Sequence, residues 1–181
     1  FDVRGLRVGL LNLASTVPMG FDAGPGKPGL APLRVDFALE VDANFLVENP
    51  GAMPVVRTWV RAEEQEMLCQ RIGRLKAEVD VTIVSIHWGV PDFWLSPAQG
   101  VLAQYQRPLA HAMIEAGADM VYGHHSHTLH PIEVSHAKPI FYSPGNFLFE
   151  FDKPRPYMER KSFIVKARVG DGLAIELVPL V

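Results

Sequence analysis

The run Val81-Thr-Ile-Val-Ser-Ile86 constrains the fold more than any other part of the sequence. It is nearly all apolar and rich in β-branched residues, which predicts a central strand covered on both faces. An apolar stripe over 98–116 predicts an amphipathic helix that stops at Gly117, and a short strand over Asp119–Tyr122 follows. A right-handed crossover from strand through helix to strand makes the two strands parallel neighbours.

The remaining patterns extend this unit in both directions. A buried strand is predicted over Arg7–Leu13, and an amphipathic helix over Arg61–Val79. The stretch from Ser15 to Pro32 holds too many Gly and Pro residues for a regular element, whereas 36–49 is ambiguous with some strand-like alternation. Further strands are predicted over Pro131–Ser135, Pro139–Ser143, Ser162–Val169 and Leu173–Val178, with a loop over Asp152–Tyr157 and a hairpin turn at Gly170-Asp171-Gly172. The fold class is therefore α/β with an antiparallel supplement.

Composition excludes some classes of partner. A formal charge of −3 and a pI near 6.2, without any Lys/Arg run, argue against a nucleic-acid surface. No apolar run approaches the roughly 18 to 20 residues of a membrane span, so we expect no membrane segment within the chain. The single cysteine, Cys69, cannot form an internal disulfide and falls within a predicted helix, where packing is its expected role. Cysteine usage therefore does not indicate the cellular compartment of the protein.

Histidines concentrate at one predicted edge of the sheet. The segment GHHSHTLH, residues 123–130, holds four of the seven histidines and follows the second parallel strand. His87 ends the first one. In open α/β sheets ligands bind outside the carboxyl ends of the strands, which is where both motifs are expected.

Three of these imidazoles form a candidate metal site. The H-x-H pair His125 and His127 is expected to place both rings on the same side of an extended backbone, and His87 is expected to join them. Alternation directs His124 away from its neighbour, toward the sheet or toward a bound oxyanion. The competing interpretation is that histidines near turns are solvated or cap backbone groups, but for the three together the metal site is favoured. His130, His111 and His136 are weaker candidates, and His111 and His136 are expected to be structural or exposed.

Other chemistries lack their motifs. The sequence contains no G-x-S-x-G elbow, no phosphate-binding P-loop and no dinucleotide glycine fingerprint. The segment Gly24-Pro25-Gly26 is a poor phosphate cradle, because its proline removes an amide donor. These observations leave the histidine segment as the main functional feature.

Four segments together resemble one known family. They are VSIHWG at 84–89, EAGADMVYGHHSH at 115–127, PIEV at 131–134 and KPIFYSPGNFLFE at 138–150. The sequence from Val81 to Phe149 resembles the CapA or poly-gamma-glutamate capsule biosynthesis family, within the calcineurin-like metallophosphatase superfamily. The Gly/Pro-rich region with KPGLAPLRV at 27–35 resembles the variable middle portion of such proteins more loosely.

This resemblance implies a fold and a site. The fold is a metallophosphatase-like layered β-sandwich with flanking helices, of which this chain would be a single domain over 1–181, incomplete at its N-terminus. The chain starts at Phe1 and not at Met, so we expect it to be part of a longer protein. The implied cofactor is a dinuclear centre of divalent metal ions, Mn, Fe or Zn, with His87, His125 and His127 as ligands. His124 and Asn146 would act on the substrate as catalytic residues.

The sequence also departs from the family pattern. The early D-x-H, G-D-x-x-D and G-N-H-[DE] motifs that supply the other ligands are absent. Ser126 replaces the usual proline of the histidine segment, and Pro144 replaces a usual leucine. The acidic residue that often follows H-W-G is displaced by one position to Asp92, which leaves its role open.

Three functions are compatible with this pattern. The first is a metal-dependent, phosphoesterase-like hydrolase of CapA type that acts on an anionic polymer or phosphoester in capsule metabolism. The second is a non-catalytic assembly or export component that binds the proteins of a capsule-synthesis complex. The third is a domain whose histidines no longer bind metal.

Overall fold

A computed structural model describes residues 1–41, 47–49, 51, 54–89, 102–148, 161–170 and 172–180. Its two helices alternate with strands in the middle of the chain, as in an α/β fold, and strands alone precede and follow this part. In chain order the elements are β1 (Asp2–Val3), β2 (Leu6–Ala14), β3 (Val35–Glu40), β4 (Val55–Val60), α1 (Ala62–Glu78), β5 (Val81–His87), α2 (Gln106–Glu115), β6 (Met120–His124), β7 (Ile132–Ser135), β8 (Lys138–Phe141), β9 (Ser162–Val169) and β10 (Leu173–Leu180).

Six strands form one mixed sheet in the order β1-β2-β5-β6-β8-β7. The pairs β2–β5, β5–β6 and β6–β8 are parallel, whereas β1 and β7 pair antiparallel at the two edges. The predicted crossover is therefore confirmed, with α2 connecting the parallel strands β5 and β6. The register aligns His87 with Ala14 on one side and with His124 on the other.

Both helices pack on one face of this sheet. On that face Val84 and Ile86 of β5 are completely buried. The core that covers them includes the helix residues Leu68, Ile72, Leu109 and Met113. Gly9 of β2 allows close packing there, because a Cβ atom would lie 2.8 Å from the Leu75 side chain. The nearly unbroken apolar run of β5 supplies this face. The prediction that β5 is covered on both faces is confirmed for this face only, because Ile83, Ser85 and His87 on the other face are half-buried.

The opposite face of the sheet is only partly covered. Leu10 on β2 is 45% exposed, Ile132 is 42% exposed and Val134 is 68% exposed. At strand β8 of this face, Phe141 contacts Phe163 of the two-stranded β9–β10 sheet, with the ring centres 6.1 Å apart. We call this surface the open face. The register places the side chains of His87 and His124 on it.

The start of the second helix was predicted wrongly. Helix α2 begins at Gln106, and residues 102–105 form a non-helical turn. The side chain of Gln106 accepts a hydrogen bond from the Ala103 amide at 2.7 Å, and Pro108 occupies the first helical turn. Proline is tolerated there because the first-turn amides have no partner within the helix. The predicted positions 98–101, like Asp92, lie outside the described residues.

Strand β3, which pairs with β4, accounts for residues 36–40 of the ambiguous segment 36–49, whereas residues 42–46 lie outside the described residues. Residues 35–40 are a strand that pairs antiparallel with Val55–Val60, a strand that the sequence patterns did not predict. The stretch from Ser15 to Pro32 has no regular element, as expected, and holds only isolated bridges. The turn between β9 and β10 is closed by a bond from the Gly170 amide to the Gly172 carbonyl, 3.0 Å long. The predicted loop at 152–157 lies outside the described residues.

The described helices are too short or too polar to cross a bilayer.

Candidate functional site

The carboxyl ends of β5 and β6 bring histidine side chains together. His87 and His124 are the last residues of their strands and face each other in register, with ring centres 5.1 Å apart. His125 packs edge-on against His87 at 4.3 Å. His127 lies close enough to influence the pKa of both His87 and His125. We call these four residues the histidine cluster.

The backbone of the H-x-H segment is not extended, so this part of the prediction was wrong. His125 has a φ of 121° and His127 a φ of 57°. Both values lie in a region that L-residues rarely adopt. These turns break the strand alternation, so His125 reaches His87 although it directly follows His124. His124 was expected to point away from its neighbour His125; it lies on the same face of the sheet as His87, with the ring centres 5.1 Å apart.

Burial keeps three imidazoles of the cluster neutral, those of His87, His124 and His125. Burial and the neighbouring His124 and His127 lower the pKa of His87 to about 4. Burial and the other three imidazoles lower the pKa of His125 to about 3. Burial also lowers the pKa of His124, although a hydrogen bond with the backbone of Tyr122 opposes the shift. Neutral imidazoles retain the nitrogen lone pair with which histidine binds metal ions.

Asn146 holds the far end of the cluster. Its Oδ1 lies 2.7 Å from Nδ1 of His127, and its Nδ2 donates to the backbone carbonyl of the same residue at 3.2 Å. The predicted catalytic residue therefore lies beside His127, on the loop that follows β8. Its role in catalysis stays a prediction.

Ser126 closes the turn between His125 and His127. Its hydroxyl is buried and donates to the carbonyl of Thr128 at 3.0 Å. A proline here, as in the usual family pattern, would have no such hydroxyl. The serine thus provides a different local means of fixing the turn.

A buried tryptophan supports the cluster from the helical face. Trp88 is 1% exposed, and its indole Nε1 donates to the carbonyl of Tyr142 at 3.0 Å. The two rings stack with centres 5.5 Å apart. This contact joins the loop after β5 to the end of β8.

A tyrosine hydroxyl fixes the backbone after His87. The hydroxyl of Tyr105 accepts the Gly89 amide at 2.7 Å and lies 2.7 Å from the hydroxyl of Ser15. The Ser15 amide in turn donates to the carbonyl of His87 at 2.8 Å. Sequence reasoning assigned Tyr105 only to a helical stripe, and no local signal connects it with residues 16 and 90 positions away.

The other histidines have structural surroundings. His111 is bonded through Nε2 to Glu133 at 2.8 Å, and His136 is exposed in the turn between β7 and β8. The ring nitrogens of His130 are buried and hydrogen-bond no described residue. The expectation that His111 and His136 are structural or exposed is confirmed.

The spacing of the imidazoles would allow two of them at a time to bind one metal ion. Two imidazoles on one ion have ring centres roughly 5 Å apart, because each metal–nitrogen bond is about 2.0–2.1 Å. The separations of 4.3 and 5.1 Å around His87 are close to this value. Among the residues that the structure describes, however, no group of three or more His, Cys, Asp or Glu side chains is placed so that it could hold a metal ion. The described part of the site therefore offers imidazoles at pairwise spacing and no complete set of ligands.

Comparison with known proteins establishes the family. The profile described as bacterial capsule synthesis protein PGA_cap matches residues 1–151, which include every member of the histidine cluster and Asn146. The chain belongs to the PGA_cap family. The β9–β10 hairpin lies beyond the matched region.

Curated relatives of this PGA_cap protein come from several bacteria. It is 39% identical over 102 residues to PGA biosynthesis protein CapA of Bacillus subtilis, covering 56% of this chain and 23% of the relative. It is 39% identical over 140 residues to capsule biosynthesis protein CapA of Bacillus anthracis, covering 74% and 30%. A probable polyglutamine synthesis accessory protein of Mycobacterium tuberculosis is 41% identical over 105 residues, covering 58% and 26%. The chain thus spans about a quarter to a third of the length of these relatives.

Proposed function

We propose that this PGA_cap protein acts in the synthesis of a capsule polymer of the poly-gamma-glutamate type. We further propose that its histidine cluster supplies ligands to a divalent-metal site related to that of metal-dependent phosphoesterases. The single observation that carries the second proposal is the contact of neutral imidazoles from two parallel strand ends. The ring centre of His87 lies 5.1 Å from that of His124 and 4.3 Å from that of His125. The names of the CapA relatives, which refer to PGA and capsule biosynthesis, support the first.

His87, His125 and His127 are the proposed ligands. Their imidazoles suit manganese, iron or zinc alike. A divalent ion held there would act as a Lewis acid toward water and toward the oxygens of an anionic substrate. The proposed role of His124 is to orient such an oxygen, because its neutral imidazole lies on the open face next to His87.

A second structural layer over the open face forms part of the same proposal. The exposed apolar side chains of Leu10, Ile132 and Val134 support it, since a soluble sheet rarely leaves such a face uncovered. A second sheet at this position would produce the layered β-sandwich that the family resemblance implies. It would also bring further side chains to the side of the sheet that carries His87 and His124.

Metal analysis of the full gene product tests the metal site. We expect bound divalent metal to be detected by mass spectrometry and to be lost in the double variant His125→Ala and His127→Ala. His136→Asn is the matched control, because it removes an exposed imidazole outside the cluster and asparagine tolerates the left-handed backbone at that position. Equal metal content in the double variant and the wild type would refute the metal site. It would favour the third function, a domain whose histidines no longer bind metal.

A second candidate is a non-catalytic assembly or export component of a capsule-synthesis complex. It is favoured by the absence, among the described residues, of any group of three or more His, Cys, Asp or Glu side chains that could hold a metal ion. The relative from Mycobacterium tuberculosis also bears the name of an accessory protein. Hydrolysis of an aryl phosphate by the metal-loaded gene product would support the enzyme. A metal-loaded but inactive protein that co-purifies with polymer-synthesis proteins would support assembly.

A further inference from the structure

Asn146 and His127 form a two-point contact that determines the chemistry of the imidazole. The amide group of Asn146 touches both the ring nitrogen Nδ1 and the backbone carbonyl of His127, at 2.7 and 3.2 Å. An amide has one accepting oxygen and one donating nitrogen, so only one of its two orientations satisfies both contacts. The identity of the two partners therefore decides the orientation.

The backbone carbonyl decides which orientation is present. The carbonyl oxygen of His127 can only accept a hydrogen bond, so the amide nitrogen of Asn146 must face it. The amide oxygen then faces Nδ1, and a short contact between them requires a proton on Nδ1. In the neutral imidazole the lone pair is consequently on Nε2.

The loop that carries Asn146 is anchored independently of the cluster. Gly145 has a φ of 80°, and a Cβ atom there would lie 2.8 Å from the carbonyl of Lys161 and 2.9 Å from Ser162. The Phe163 amide donates to the carbonyl of Pro144 at 3.1 Å. Strand β9 thus holds the loop in place, so that the Asn146 amide is positioned before any ligand binds.

We propose that Asn146 is a positioning residue that holds His127 in the Nδ1-protonated tautomer and directs its Nε2 lone pair toward the metal site. In this role Asn146 acts through His127, whereas the family resemblance implied direct action on the substrate. The direction toward a metal rests on the proposed function, whereas the tautomer does not. A second hydrogen bond that fixes tautomer and ring orientation is a common feature of histidines that bind metals.

Nuclear magnetic resonance of the metal-free protein tests the tautomer. Long-range proton–nitrogen correlation in mildly alkaline buffer distinguishes protonated from unprotonated ring nitrogens. We expect a protonated Nδ1 in His127 of the wild type. His111 provides an internal reference of the opposite tautomer, because its Nε2 contacts the Glu133 carboxylate. A wild-type His127 with its proton on Nε2 would overturn the proposal without any variant.

Two substitutions separate positioning from a purely structural role. Asn146→Ala removes the acceptor, so we expect His127 to lose its preference for the Nδ1 proton while the His111 signals stay unchanged. Asn146→Asp restores an acceptor and should restore the Nδ1-protonated form. An unchanged His127 tautomer in a folded Asn146→Ala protein would contradict the proposal. If that variant does not fold, the wild-type and Asn146→Asp spectra still decide the question.

Zinc titration distinguishes failure of this inference from failure of the proposed function. We expect Asn146→Ala to weaken zinc binding by about 10- to 100-fold, with Asn146→Asp intermediate. A protonated Nδ1 in a protein that binds no zinc would support the tautomer and refute the metal site. Zinc binding together with a protonated Nε2 would support the metal site and refute the role of Asn146.

Discussion

Trp88 and Tyr142 make their hydrogen bond across Gly123. The indole Nε1 of Trp88 lies 3.0 Å from the Tyr142 carbonyl, and the backbone of Gly123 on β6 passes between the two residues. A Cβ atom on Gly123 would collide with the indole and lie 2.5 Å from the Tyr142 carbonyl. Gly123, which directly precedes His124, is therefore required by packing.

Gly123→Ala should destabilise the protein by about 1–3 kcal/mol or more, because the added methyl group meets a rigid backbone carbonyl and a buried ring. Urea unfolding followed by circular dichroism measures the change. Gly24→Ala is the matched control, since no atom lies within 4 Å of a Cβ at that position and its stability should be nearly unchanged. Equal stability of wild type and Gly123→Ala would mean that the close approach does not exist in solution.

The histidine cluster should make stability depend on pH. In the folded metal-free protein the pKa is about 4 for His87 and about 3 for His125, whereas an unfolded histidine has a pKa near 6.5. As the pH falls below 6.5 the unfolded chain takes up protons that the folded chain excludes. The free energy of unfolding should therefore fall by up to about 1.4 kcal/mol per pH unit for each imidazole, until the folded pKa is reached.

Above pH 6.5 both states are neutral, so these two residues add no pH dependence there. Urea unfolding at several pH values in the presence of a chelator measures the slope. His87→Gln should flatten it by removing one buried imidazole, while the exposed control His136→Asn should leave it unchanged. A slope that is the same in all three proteins would show that the cluster is not buried in its neutral form.

Sequence patterns predicted the part of the site that depends on local periodicity. The apolar run of β5 and the stop at Gly117, whose φ is 116°, define the crossover that aligns His87 with His124. Both features depend on neighbours in the chain, because strand burial and helix termination act over a few residues. The juxtaposition of the two histidine motifs was therefore predictable from sequence.

The details of the cluster depend on contacts that local patterns do not encode. The positive φ of His125 contradicts the simple alternation of a strand, and it accompanies a ring contact with a residue 38 positions earlier. The partner of Asn146 lies 19 positions away. Strand β4 was not predicted, and its pairing with β3 joins residues 15 to 25 positions apart, from Glu40 with Val55 to Val35 with Val60. Tertiary packing determines each of these features.

Tyr105→Phe should loosen the backbone after His87 and preserve the ring. The substitution removes the oxygen that accepts the Gly89 amide and contacts the Ser15 hydroxyl, so we expect a loss of about 1–3 kcal/mol in stability. Faster hydrogen exchange of the Gly89 amide would report the local effect. Tyr122→Phe is the control, because the Tyr122 hydroxyl bonds to no side chain in the described part of the chain. Unchanged exchange at Gly89 would contradict the contact.

Asp119 connects the starts of the parallel strands to helix α1. Its carboxylate accepts the Thr82 amide at 2.9 Å and pairs with Lys76 at 2.6 Å, and its own amide donates to the Thr82 carbonyl at 2.8 Å. Asp119→Ala should cost about 1.5–3 kcal/mol, because bonds to a charged acceptor are lost and the amide of Thr82, a fully buried residue, loses that acceptor. Urea unfolding measures the loss against Asp36→Ala, which removes the more exposed pair with Arg61 and should destabilise the protein less. If the two variants were equally stable, the Asp119 carboxylate would contribute no more to the free energy of unfolding than an ordinary surface ion pair.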